Sequence, residues 1–197
     1  MLEHIEFIIN TWLNGGWVMM PLFILSVMIY YYGSEMFLFL DNFKSPNNDS
    51  KDLDLWIEDP LKAPRELRNI ITYSLDNVTT KKQLTNRFKE VEQTILDGVE
   101  KKIILLSTLV AAAPLMGLLG TVIGMLSTFS GISMGAGEET ISAISSGISE
   151  ALITTQTGLF IALPGTFLIM FLQRKKAAIE TFILTLESKS LTTLTFN

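Results

Sequence analysis

The sequence predicts an all-α membrane protein with three transmembrane helices, the second and third extending into the cytoplasm as long helices. Three observations carry this prediction. The 197 residues are 48% hydrophobic with a mean hydropathy of +0.38, yet 18% are charged, a mixture that fits a few membrane spans joined to a modest water-exposed part. Three long runs are nearly free of charge, and each exceeds the roughly 20 residues that a helix needs to cross a bilayer. All 15 Lys and Arg lie between Lys44 and Lys102 or between Arg174 and Lys189, so the apolar runs and the basic segments alternate.

Residues 1–40 hold an N-terminal segment and the first span, WVMMPLFILSVMIYYYGSEMFLFL from Trp17 to Leu40. No basic residue precedes the span and it is long, so it is expected to be a retained helix rather than a cleaved signal. Trp12 and Trp17 suit the outer interface, where amphipathic rings settle. His4, the single histidine, reads as an exposed terminal side chain.

Residues 41–102 read as a helical segment. SPNNDSKD (45–52) is a turn-rich connector, and Asp59-Pro60 and Pro64 are helix-start signals. Leu67, Ile70, Ile71, Ser74 and Leu75 share one helical face. Thr80 with Gln83 fits a capping box, and Leu84, Phe88, Val91, Ile95 and Val99 then recur at three-to-four spacing. Only Gly98 interrupts before Ile103, which predicts one long helix running into the second span, 103–134. A short loop, 135–139, leads to the third span, 140–173. Beyond it, Ile179, Phe182, Ile183 and Leu186 continue a helical face through 174–197. These two stripes either pack on each other or form a docking face for a partner.

The positive-inside rule puts 41–102 and 174–197 in the cytoplasm, and the N-terminus and the 135–139 loop outside. An odd number of spans agrees with both placements. Without cysteine there is no disulfide, thiol nucleophile or cysteine metal site. The sequence has no catalytic triad, phosphate loop or metal cluster. It reads as neither an enzyme nor a nucleic-acid binder, and it calls for no cofactor.

Polar residues within the spans carry the functional signal. Gly117, Gly120 and Gly124 share one face of the second span, where small residues let membrane helices approach closely. Glu150 is the only charge in the third span. A charge at mid-bilayer costs roughly 2.5–3.5 kcal/mol, and such acids face a cavity or a partner. The alternative is a placement near the outer interface, since Glu150 lies about 15 Å along the helix from Thr140. Thr154 and Thr157 stand at i+4 and i+7 from Glu150, and Ser142, Ser146 and Ser149 precede it. Such a stripe of hydroxyls can order water or replace part of an ion's hydration shell. Back-bonding of each threonine to its own helix is the plainer role for any one of them.

PLMGLLGTVIGMLSTF (114–129) and GISEALITTQTGLFIALP (147–164) resemble the paired signatures of the MotA/TolQ/ExbB proton-channel family, and the short ExbB-like members most. The resemblance implies an inner-membrane protein with its N-terminus in the periplasm, forming a pentameric ring around a pair of ExbD-like single-span helices. It implies that Glu150, Thr121 and Thr155 handle protons with an Asp of the partner, and that the work passes to a TonB-like protein. Pro114 and Pro164 match the family's helix prolines. Thr154, Gln156 and Thr157 are polar where the family has small apolar residues, which leaves proton and Na⁺ both open as the coupling ion. A TolQ-like subunit and a passive membrane scaffold are the alternative functions.

Overall fold

The structure is a computed structural model and describes residues 6, 11–42, 55–57, 59–63, 65–75, 78, 80–133 and 137–193. The 45–52 connector, His4, Pro64 and residues 135 and 136 of the 135–139 loop lie outside the described residues. Four α-helices follow in chain order: α1 (Met19–Asn42), α2 (Arg65–Leu75), α3 (Lys81–Ser133) and α4 (Glu138–Thr193). A 3-10 turn, Pro60–Lys62, precedes α2. Residues 11–14 and 55–57 are also helical. Among the described residues there is no strand, so the protein is all-α. Helices α1, α3 and α4 are each long and apolar enough to cross a membrane.

The helix boundaries follow local chemistry. Asp59 accepts the Leu61 amide through its side chain (3.2 Å) and the Lys62 amide through its carbonyl (3.1 Å), so Asp59-Pro60 opens a 3-10 turn rather than an α-helix. The Arg68 guanidinium ties that turn to α2 by donating to the Leu61 carbonyl at 2.8 Å. The Thr80 carbonyl accepts the Gln83 and Leu84 amides, and α3 begins at the next residue, Lys81. Pro114 and Pro164 lie inside α3 and α4, where each removes one main-chain donor without ending its helix.

The chain divides into two units. The first comprises Met1–Gly33 and Leu105–Ile169. Its three apolar helices meet through small residues. A Cβ at Gly33 of α1 would collide with Leu168 of α4, and one at Gly165 of α4 would lie 2.8 Å from Val110 of α3. Tyr30 of α1 donates its hydroxyl to the Ile161 carbonyl at 3.2 Å, which satisfies a polar group within the apolar unit.

The second unit comprises Ser34–Ile104 and Met170–Asn197. Both sequence stripes are buried in it: Leu84, Phe88, Val91 and Val99 on α3, and Ile179, Phe182, Ile183 and Leu186 on α4. Leu96, not Ile95, fills the intervening α3 position. On α2, Ile71 and Ser74 are fully buried. Among the described residues, ion pairs link the helices of this unit at Lys102–Glu35 (2.9 Å), Lys175–Asp41 (2.7 Å) and Lys176–Glu100 (2.7 Å). Exposed pairs of this kind contribute about 0–1 kcal/mol each, so burial of the stripes dominates the unit's stability.

Candidate functional site

The first unit holds every residue that the sequence singles out for ion handling. Its framework is the close approach of α3 to α4. A Cβ on Gly117 would stand 3.0 Å from the Thr154 carbonyl oxygen and 3.1 Å from Thr155 Cα. One on Gly120 would overlap the Thr154 side chain, and one on Gly124 would stand 2.5 Å from the Gly147 carbonyl oxygen. The approach is mutual, since Gly147 and Gly158 of α4 meet Thr128 and Ala113 of α3. These α4 glycines escaped the sequence reading. They stand 11 residues apart, close to three helical turns, and that shared face was the available signal.

Close packing divides two adjacent threonines between different roles. Thr154 is fully buried against Gly120 and donates to the Glu150 carbonyl (2.9 Å) within its own helix. Thr155, half-buried, donates across to the Gly117 carbonyl of α3 at 3.1 Å. Helical geometry pairs that same carbonyl with the Thr121 amide, so Thr121 and Thr155 are anchored to one peptide group. The Thr121 hydroxyl donates to the Leu118 carbonyl at 2.7 Å, and Thr157 donates to the Ile153 carbonyl at 2.8 Å. Each hydroxyl proton is thus committed to the main chain, which leaves oxygen lone pairs as the free valence. Such groups accept from a proton carrier or ligate a cation.

Glu150 stands apart from the threonines. Its side chain is half-buried and lies over Gly16, just ahead of the first residue of α1, Met19. Of the two placements the sequence left open, the structure has the carboxylate beside the amino end of α1 rather than level with the middle of that span. The amino end of a helix favours negative charge, which lowers the cost of the acid there. Among the described residues no side-chain hydrogen bond joins Glu150, Thr121 and Thr155 to one another. Asn14, Glu138 and the serines Ser142, Ser145, Ser146 and Ser149 line an open cavity of about 540 Å³ in the same unit. The sequence reading included three of those serines but neither Asn14 nor the cavity, because Asn14 lies far away along the chain.

Close-packed apolar helices long enough to cross a bilayer, with main-chain-anchored hydroxyls on their seam, define a helical membrane protein. A family comparison gives the class its name. Residues 62–184, more than half of the chain, match the MotA/TolQ/ExbB proton channel family, and the protein belongs to that family. It is similar to the biopolymer transport protein ExbB-like 1 of Synechocystis sp., 32% identical over 170 residues, which covers 79% of this chain and 66% of the relative. It is 41% identical to the biopolymer transport protein ExbB of Xanthomonas campestris over 76 residues, 38% of this chain and 29% of the relative. It is 36% identical to the Tol-Pal system protein TolQ of Haemophilus influenzae over 85 residues, 43% of this chain and 37% of the relative. The match thus spans under two thirds of each relative's own length.

Proposed function

We propose that this chain is an ExbB-like subunit of an inner-membrane motor that uses the proton motive force to energise TonB-dependent transport across the outer membrane. In this reading five copies form a ring around an ExbD-like single-span partner, and a TonB-like protein receives the work. Glu150 exchanges the ion, and Thr121 and Thr155 offer it lone pairs on the way. The observation that carries the reading is the family match, which extends over the region holding all three residues. The geometry lends support, because the Thr155 hydroxyl and the Thr121 amide share one carbonyl on the α3–α4 seam.

Support for a ring comes from what one chain leaves uncovered. Only 22%, 33% and 28% of the most apolar windows of α1, α3 and α4 are buried. Side chains such as Leu115, Leu126 and Phe160 stay 66%, 64% and 77% exposed, surface that suits lipid or neighbouring copies. A TolQ-like role is the second reading, and the Haemophilus influenzae relative favours it.

Deletion of the gene in its own host separates the two. The ExbB-like reading predicts loss of growth on a TonB-dependent nutrient with normal envelope constriction. Defective constriction with normal uptake would move the assignment to the TolQ-like role.

A further inference from the structure

We propose that Gly16 is a positioning residue for Glu150, and that the Gly15–Gly16 turn ahead of α1 is the seat in which the Glu150 carboxylate rests. The inference deepens the reading of Glu150 as the ion-handling acid and rests on it. Two independent features of Gly16 point the same way. A Cβ at this position would overlap Glu150 Oε1 and stand 2.5 Å from Cδ and 3.2 Å from Cγ, so the whole end of the acid occupies the space a side chain would take. The residue also has φ of +67°, a left-handed conformation that glycine adopts without steric cost.

The surrounding bonds fix the turn. The Gly15 amide donates to the carbonyls of Thr11 and Trp12, each at 3.2 Å. The Gly16 carbonyl accepts the Met19 amide at 3.3 Å and so starts α1. On α4, Ile153 stands one turn beyond Glu150, and its Cγ2 would be 3.0 Å from a Cβ on Gly15. The two glycines therefore meet different residues: Gly15 meets Ile153 and Met19, and Gly16 meets the acid. An acid that must take up and release an ion at a fixed place needs its carboxylate held there, and this turn holds it from outside its own helix.

The test uses the full chain with its native partners in membrane vesicles from its own host. Proton flux is the readout, and native mass spectrometry checks ring assembly on the same preparations. Gly16→Ala should assemble but conduct up to about a hundredfold less, on the scale that a misplacement of about 1 Å costs a reacting group. Gly16→Asn carries the same Cβ but tolerates positive φ, so it should lose flux by the same overlap without the backbone strain. Adding Glu150→Asp withdraws the carboxylate by one methylene. Each double variant should then conduct at least about twofold more than its Gly16 single variant, the sign of direct coupling between two contacting residues.

Wild-type flux in both Gly16 variants overturns the proposal. So does a loss, of flux or of assembly, that Glu150→Asp fails to relieve, since the turn would then serve structure alone. A separate Glu150→Gln variant distinguishes the underlying reading. If it conducts like wild type, the acid handles no ion, and the proposal falls together with that reading.

Discussion

Thr155 shows how one hydroxyl links packing to chemistry. Its proton goes to the Gly117 carbonyl at 3.1 Å, and in the proposed function its lone pairs serve the ion. Thr155→Val keeps the volume and removes that oxygen. Interhelical hydrogen bonds in membranes average ~0.6 kcal/mol, so the variant should assemble with little loss of stability. Proton flux in the same vesicles should nevertheless fall; unchanged flux would limit Thr155 to packing. Thr154 is the contrast. Its spacing from Glu150 marks it as part of the polar stripe, whereas in the structure it is fully buried on Gly120. Spacing along a helix says which residues share a face, but not which face the neighbouring helix takes. The Glu150–Gly16 contact was illegible for a similar reason, since it joins residues from distant parts of the chain. In the second unit, Tyr73 donates to Glu90 at 2.9 Å, and this bond, with the carboxylate's charge, raises its pKa above the ordinary value of 10.0. A raised pKa means the contribution to stability is complete below pH 10.0 and fades as pH climbs through the higher folded value. Ultraviolet titration of Glu90→Gln should show one tyrosine ionising at lower pH than in the wild type.

At the scale of elements, glycine contacts join α3 and α4 in the first unit, and each helix buries an apolar stripe in the second. The stripes were legible because burial on one face of a helix imposes a 3.6-residue period, and Leu84, Phe88, Val99, Ile183 and Leu186 all stand where that period sets them. The glycine contacts were half legible. Gly117, Gly120 and Gly124 advertise a close approach, but the sequence does not say whether it lies within a chain or between copies. Here it lies within the chain. Gly120→Leu should therefore destabilise the subunit itself, by about 1–3 kcal/mol for overpacking, before any effect on assembly. Thermal unfolding in detergent checks this, and an unchanged Tm would contradict the packing account. Gly98 gives the opposite expectation. A Cβ there meets nothing within 4 Å, and the residue is exposed in the middle of α3. Gly98→Ala should thus raise stability by about 0.5–1 kcal/mol.

At the scale of the whole molecule, three apolar helices and two basic segments specify a layout that can be tested without any further structure. Reporter fusions at Asn47, Gly137 and Asn197 should read cytoplasm, periplasm and cytoplasm, as the positive-inside rule requires. A cytoplasmic reading at Gly137 would rule that layout out. The central claim is that Glu150 is the acid through which the ion passes. Its most direct test is proton flux through vesicles carrying Glu150→Gln, which keeps the side chain's shape but can neither carry a charge nor titrate. The account predicts rings that assemble as in the wild type, with flux reduced to background. Intact rings with wild-type flux would contradict it.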